Sequence, residues 1–391
     1  MKSNPQSGEK PASYREPSAP EATTLMAFVV RRSELLGPLT RAANVAERRS
    51  SKPILSNVLL TVDGPSTLRL SATDLQVSVT APCGAEVKQG GSVALAAKTL
   101  HDIVRNLPDE TIVVKVGTNH AAELKSGRSR FRVNGMPGDD FPQMPAVDRV
   151  EFVSLPAKDV LSLVQKTAHS MSTDEARPHL AGALFEAEGK TLRMVTTDGH
   201  RLSKMEVKLD SGLVKFSMLV PSKGIQELRR LLEGIDGDVE VGSGGGQAFF
   251  RCAGTLLAVK LVDMAFPPYS RVIPEKSERK VIVPRQALAD ALRRMALVST
   301  ERVPAARMTV GKGKLSLQSE SAEIGDTSED LDVDADGAPV TIAFNVNYVL
   351  DALAVIDEDE VRIEMSGELD PCVVVPTGDV KYVCVVMPMR M

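Results

Sequence analysis

Leu155-Pro156-Ala157-Lys158-Asp159-Val160-Leu161-Ser162-Leu163-Val164-Gln165-Lys166-Thr167-Ala168-His169 reads as an apolar residue, a turn residue and then an amphipathic helix with Leu161, Val164 and Ala168 on one face. The same opening recurs at Val30-Arg31-Arg32, Leu95-Ala96-Ala97, Val220-Pro221-Ser222, Val283-Pro284-Arg285 and Phe344-Asn345-Val346. Successive openings lie 65, 60, 65, 63 and 61 residues apart. Five places beyond each start stands an apolar residue: Leu35, Leu100, Val160, Ile225, Leu288 and Val349. Other landmarks return at about twice that period. Lys52, Arg177 and Arg302 open a strand-like run, Thr73-Asp74, Thr197-Asp198 and Ser319-Glu320 close the next, and Phe141-Pro142, Phe266-Pro267 and Met387-Pro388 come near each end. Self-similarity at a fixed period decides architecture before any motif is read. It predicts three similar domains, each of two similar halves.

Helices are expected over 31–44, 98–106, 157–169, 222–233, 284–299 and 345–356, with Leu228, Leu231 and Leu232 on one face of the fourth. Pro156, Pro221 and Pro284 are expected in first turns, where a missing N–H is tolerated. Between helices, runs such as Thr67-Leu68-Arg69-Leu70-Ser71, Thr191-Leu192-Arg193-Met194-Val195 and Lys314-Leu315-Ser316-Leu317 alternate like half-buried strands. Turns at Asp63-Gly64, Glu188-Gly189 and Gly244-Gly245-Gly246 separate them. The fold class is therefore α+β, antiparallel sheets with helices on one face. The domains are 26–146, 150–275 and 277–391, with linkers around Pro145–Val150 and Pro274–Lys280.

The 391 residues suit two or three domains, and an apolar fraction of 43% fills three cores of Leu, Val, Ile, Ala and Met, since Trp is absent. Cys83, Cys252, Cys372 and Cys384 stand far apart with no C-x-x-C, as reduced, buried thiols would in an intracellular protein. No apolar run reaches the length of a membrane span, and no signal peptide opens the chain. Residues 1–25 are rich in Pro, Ser and Glu and read as a disordered extension, with Met26 the effective start of the fold. An upstream start codon is the other reading of that stretch.

The net charge is −4, and its distribution matters more than its sum. The six helical segments carry +2, +1, +1, +1, +2 and −1, a total of +6 that leaves −10 elsewhere; residues 319–336 hold eight acidic residues and no basic one. Repeated positive helices in an acidic chain point to one common basic surface.

Enzyme templates are absent: no G-x-x-x-x-G-K-[ST], H-E-x-x-H or G-x-S-x-G occurs, and Gly242-Ser243-Gly244-Gly245-Gly246 reads as a hairpin loop. His101, His120, His169, His179 and His200 show no metal-ligand spacing, so neither metal nor cofactor is expected. Thr197-Asp198-Gly199-His200-Arg201 could pass for an acid–base constellation. The repeat matches Asp198 to Asp74 and Glu320, which bring no His, so a turn-capping carboxylate accounts for it. His200 and Arg201 are then additions of the middle third, and a binding site is expected there.

Thr197-Asp198-Gly199-His200-Arg201-Leu202, Phe266-Pro267-Pro268-Tyr269-Ser270-Arg271-Val272 and Val385-Val386-Met387-Pro388-Met389-Arg390-Met391 resemble the bacterial DNA polymerase III β subunits, the sliding clamps. Ser126-Gly127-Arg128-Ser129-Arg130-Phe131 and Phe344-Asn345-Val346-Asn347-Tyr348-Val349-Leu350-Asp351-Ala352-Leu353 are similar too, in order, from Met26 to the end. The resemblance implies a cytoplasmic, non-catalytic processivity factor without cofactor. Its three clamp-type domains form a head-to-tail homodimeric ring whose helices line a hole around double-stranded DNA. Phe131 would meet Leu297 and Val298 across the dimer interface. Arg49, Lys98, Arg105 and Lys223, with Arg128 and Arg130, would face the duplex through sequence-independent phosphate contacts.

The resemblance also implies a peptide-binding pocket between the second and third domains, taking segments of the DNA polymerase III α subunit, the clamp loader and other clamp-binding-motif proteins. Its residues would be Leu180, Thr197, Gly199, His200, Arg201, Leu202, Pro267, Arg271, Val272, Val386, Met387, Pro388, Met389 and Arg390. Met387 and Met389 can repack around different apolar side chains, and Pro267 and Pro388 give fixed walls. Arg201, Arg271 and Arg390 would hold peptide carbonyls or carboxylates. Three features depart from the family pattern: the 25-residue extension, Met391 in place of a common Leu, and His179 and Ala181 beside Leu180. Two rival readings are an enzyme using Asp198 and His200 on DNA, and a peptide-binding adaptor that forms no ring.

Overall fold

Leu35, Leu100, Val160, Ile225, Leu288 and Val349, the six residues set by the period, are all buried, none more than 2% exposed. Each lies on a helix: α1 Arg32–Val45, α2 Ala97–Asn106, α3 Ala157–Thr167, α4 Ser222–Leu232, α5 Arg285–Ala296 and α6 Val346–Ala354. The computed structural model describes residues 24–47, 51–108, 110–209, 214–298, 304–335 and 338–390. Arg49, Arg302 and Met391 lie outside them, as do residues 1–23 of the extension.

Each third is closed by the same hydrogen bond. The first N–H of its leading helix donates to a carbonyl just ahead of a strand: Arg32 to Glu110 at 2.7 Å, Ala157 to Gly237 at 2.8 Å and Arg285 to Asp359 at 2.8 Å. In two thirds the second helix is tied likewise, Ser222 N–H to Ala181 at 3.0 Å and Val346 N–H to Pro304 at 2.9 Å. The leading N–H groups of a helix have no partner within it, so these bonds satisfy groups that burial would otherwise leave stranded.

Two expectations shift by a residue. Pro156, Pro221 and Pro284 end strands Phe152–Pro156, Val214–Pro221 and Arg279–Pro284 and stand at the N-caps rather than inside the first turns. Their φ near −60° serves a strand end as well as a helix start, and ψ of 117° to 153° keeps them extended. On α3 the buried stripe is Val160, Leu163, Val164 and Thr167, so Leu161 is only half-buried and the face turns by one position.

The chain divides into two compact units. The first holds most of residues up to Phe141, including nearly all of α1 and the whole of α2. It contains a five-stranded antiparallel sheet in the order 86–89, 24–31, 111–117, 122–126, 129–133, and strands 135–137, 92–96 and 57–62 pair beside one another. The second holds Ser71–Ala81 and Pro142–Met391. Here an eight-stranded sheet runs 214–221, 182–189, 191–197, 201–208, 381–386, 372–376, 360–365, 279–284, so middle and last thirds share one sheet through the 201–208 and 381–386 pair. A four-stranded sheet follows the order 325–332, 314–321, 305–311, 340–345. Strand 279–284 takes in Lys280, so the second linker ends before it. Gly245 and Gly246, both at positive φ, join strands 238–244 and 247–252 in a two-residue hairpin, which gives the Gly-rich stretch its structural role.

Candidate functional site

The turn after strand Thr191–Thr197 is built by two side chains. The Asp198 carboxylate accepts from the N–H groups of His200 at 2.9 Å and Arg201 at 3.0 Å, while the Thr197 hydroxyl donates to Arg201 O at 2.6 Å and accepts from Gly199 N–H. Gly199 sits at φ +91°, where a side chain would be strained. Thr73-Asp74 builds the same turn: Asp74 accepts from the Gln76 and Val77 N–H groups, and Leu75 takes φ +73° in place of glycine. Ser319-Glu320 does not follow, because the strand continues through Ser321 and Glu320 pairs with Asp326 in the ladder.

Arg201, expected to hold peptide carbonyls or carboxylates, already holds two carboxylates of its own chain. Its Nε donates to the second Asp198 oxygen at 3.0 Å, its Nη1 to Asp351 at 2.6 Å, and its guanidinium lies 4.5 Å from the Tyr348 ring centre. Its side chain is 11% exposed. Burial lowers its pKa, but the Asp351 hydrogen bond and the two carboxylate charges together hold it above the usual range. Arg201 therefore fixes the turn to α6, while the exposed Arg271 and Arg390 make no ion pair among the described residues. Both Asp198 oxygens are engaged, one by the turn and one by Arg201, and no hydrogen bond to the His200 ring is found among the described residues. Tyr348 and Asp351 belong to the stretch Phe344–Leu353 that carries the resemblance, which assigns them no role; their i, i+3 spacing puts them on one face of α6.

Behind this turn, Phe266, Tyr269 and Ile273, from the segment that follows strand Thr255–Lys260, lie on a buried cluster of Leu184, Val195, Leu202 and Val385. Tyr269 is pinned by its hydroxyl, which donates to Glu186 at 3.2 Å and accepts from Arg193 at 3.4 Å. The chain end is seated by its backbone: Met387 N–H donates to His200 O at 2.9 Å and Met389 N–H to Ala343 O at 2.7 Å. Val386 closes the strand opposite Arg201. The result gathers buried Leu180, Thr197, Leu202 and Val386, half-buried Pro267, Met387, Pro388 and Met389, and exposed Gly199, His200, Arg271, Val272 and Arg390 around two strands and one linker. Apolar side chains together with the exposed cations Arg271 and Arg390 are the chemistry that an extended peptide site uses.

His169 lies beneath. Its Nε2 is 3.0 Å from the Ser203 hydroxyl, which is 2.8 Å from that of Ser170. Burial, with the Arg201 charge nearby, pushes its pKa down to about 4, against the opposing pull of Asp351 and Asp198. Since the unfolded imidazole titrates near 6.5, the unfolded chain binds more protons between those values. Stability is expected to fall as pH drops from 6.5 to 4, by on the order of 3 kcal/mol. Thermal melts of wild type and His169→Gln across that range check this. Parallel pH profiles would remove His169 as the cause.

The predicted DNA-facing residues fare unevenly. Lys98 and Arg105 on α2 are exposed and make no side-chain ion pair among the described residues. Lys223 is bound to the Asp74 carboxylate, which is only 8% exposed and requires a counter-charge. Arg128 is exposed at a hairpin tip, and Arg130 pairs with Glu123 at 2.7 Å. Arg49 lies outside the described residues. Other helix cations are also engaged: Arg229 with Glu233, Arg230 with Glu227, Arg293 with Asp290, Arg294 with Glu329 and Lys166 with Asp357. Phe131 is 39% and Leu297 76% exposed, with Val298 half-buried.

All four cysteines are buried free thiols, and burial pushes Cys83 and Cys372 up to about 12. No described helix is long and apolar enough to cross a membrane, and no metal-sized cluster of His, Cys, Asp or Glu occurs among the described residues.

Comparison with known proteins matches residues 26–145, 154–268 and 270–390 to the N-terminal, central and C-terminal domains of the DNA polymerase III beta subunit. A beta sliding clamp of Pseudomonas putida is 35% identical over 370 residues, 94% of this chain and 100% of the relative. That of Escherichia coli K12 is 34% identical over 369 residues, with the same coverage. A crystal structure of the sliding clamp from Pseudomonas aeruginosa bound to griselimycin, 35% identical, superposes with a TM-score of 0.89 over 94% of this chain and 100% of that one.

Proposed function

Because the chain belongs to the DNA polymerase III beta subunit family, the sliding clamps, we propose that two copies close head to tail into a ring around duplex DNA and tether the replicative polymerase to it. The role is topological rather than catalytic. A closed ring cannot leave DNA it encircles, so contacts to phosphate can stay weak, sequence-independent and compatible with sliding. Lys98 and Arg105 supply such contacts without tight binding. Pairing of half of the helix cations with acids suits a lining that slides.

The observation that supports the tethering role is the seating of Met387 and Met389, whose N–H groups donate to His200 and Ala343, so that the chain end is held in place to serve as one wall of a peptide pocket. Met387 and Met389 adapt to different apolar side chains of the polymerase α subunit, the clamp loader or repair proteins. Arg271 and Arg390 take up peptide carbonyls or carboxylates at its rim. A cytoplasmic location accords with four buried thiols.

Two sheet edges support the head-to-tail closure. Strand 129–133 ends the five-stranded sheet, with Arg130, Phe131 and Arg132 along it and Arg128 in the turn before it; strand 325–332 ends the four-stranded sheet, with Asp326, Glu329, Asp330 and Asp332. Opposite charge selects this pairing between copies over like with like.

Retention on circular DNA tests encirclement. Clamp loaded onto a nicked circle is expected to stay bound through gel filtration in high salt and to be lost once the circle is cut. Equal retention on linear and circular DNA would mean ordinary binding and end the proposal.

A further inference from the structure

The turn at Thr73–Val77 and the segment following strand Thr255–Lys260 repeat the construction of the chain-end pocket. Strand 255–260 pairs antiparallel with Val77–Thr80, as 381–386 pairs with Arg201–Glu206. Lys260 N–H donates to Gln76 O at 2.8 Å, as Met387 N–H does to His200 O. Val262 N–H donates to Leu219 O at 3.0 Å, as Met389 N–H does to Ala343 O. Backbone for backbone, Lys260–Asp263 stand where Met387–Arg390 stand, one third earlier.

What this second construction encloses is a cleft of about 960 Å³ lined by Leu75, Leu184, Ser217, Leu219, Met264 and Phe266, among others. Leu75 is 52% and Met264 50% exposed. The cleft adjoins the chain-end pocket through neighbouring residues: Phe266 lines the cleft and covers Leu202, and Pro267 belongs to the pocket. One wall is strand 214–221, the first strand of the eight-stranded sheet, which among the described residues pairs with 182–189 alone. Leu219 spends its carbonyl on Val262. By the alternation of an antiparallel strand, Ser217 turns its N–H and C=O to the same open edge. Lys260, exposed at the rim, makes no ion pair among the described residues.

We propose that this cleft is a second peptide site, taking an extended segment of a protein partner that adds to the edge at Ser217, seats apolar side chains against Leu75, Met264 and Phe266, and presents a carboxylate to Lys260. The choice of a peptide as occupant rests on the reading of the chain-end pocket above. Main-chain bonds to the open edge give affinity, and the alternate side chains give selectivity. Lys260 in the place of Met387 makes the second site prefer an acidic neighbour that the first does not require.

The probe is the capped hexapeptide acetyl-Glu-Val-Thr-Leu-Thr-Leu-amide, titrated into the full chain labelled with methyl-13C methionine. Its alternate apolar residues fit a strand edge, and its Glu faces Lys260. The expected result is movement of the Met264 and Met218 signals in addition to those of Met387 and Met389. In a chain lacking Met387–Met391, the Met264 shift persists. Lys260→Glu weakens the Met264 response about tenfold in Kd. Met264→Glu, at a half-exposed position, abolishes the Met218 shift and leaves Met387 responding. Met264 and Met218 signals that stay still at millimolar peptide, or that respond only while the chain end is intact, overturn the second site. Met387 and Met389 signals that stay still while Met264 moves count instead against the chain-end pocket.

Discussion

A chain lacking Met387–Met391 is expected to lose stimulation of its polymerase while remaining a dimer. The strand ends at Val386, which pairs with both Arg201 and Cys372, so the truncation leaves the shared sheet closed. What goes is a wall: two half-buried methionines, Pro388, the rim cation Arg390, and the backbone bonds to His200 and Ala343. A Met side chain buried against a partner contributes about 1.5–3 kcal/mol, so loss of two weakens peptide binding by about a hundredfold or more. Product length on a primed template measures the first half of the expectation, and native mass the second. Unchanged product length would displace the pocket from the chain end. A monomeric truncation would place the dimer interface there instead.

The repeat made the helices legible because burial follows period. All six landmark side chains are buried, and each helix begins where its opening placed it to within two residues. Period carries less information about turns. Thr73-Asp74 and Thr197-Asp198 form one structure, whereas Ser319-Glu320 at the matching place continues a strand into a longer hairpin. A single residue type at the right interval does not say whether the chain turns there.

Charge was the least legible. Counting cations on helices suggested a common basic lining, but half of that charge holds the fold together. The i, i+3 and i, i+4 pairs Glu227–Arg230, Arg229–Glu233 and Asp290–Arg293 can be read directly from spacing. Lys223–Asp74 and Arg201–Asp351 cannot, since 149 and 150 residues separate the partners. Arg201 shows the consequence for the site. Its type suggests a ligand-binding cation, and only its neighbours Asp198, Tyr348 and Asp351 show that it also has a structural role.

Leu297→Glu is expected to convert the dimer to monomers and thereby remove retention on circular DNA. Leu297 follows α5 with 76% of its surface exposed, so a carboxylate there costs the isolated chain little. Buried against Phe131 of a second copy, the same carboxylate would lose its hydration with no cation assigned to it, a penalty of several kcal/mol. Two such sites occur per ring, because a head-to-tail dimer closes through two identical junctions. The dimer is therefore disfavoured twice over, and dissociation is expected to become at least a hundredfold more favourable. Phe131→Glu should act on the same junction from the other side, with the added repulsion of a new acid facing Asp326 and Glu329. Ile282→Glu is the control: Ile282 is 48% exposed on strand 279–284, which belongs to a different sheet from either edge named for the junction, and the variant is expected to stay dimeric. Sedimentation velocity across nanomolar to micromolar protein separates the cases. A Leu297→Glu chain that sediments as a dimer at nanomolar concentration would exclude Leu297 from the interface and leave the closure of the ring to other residues.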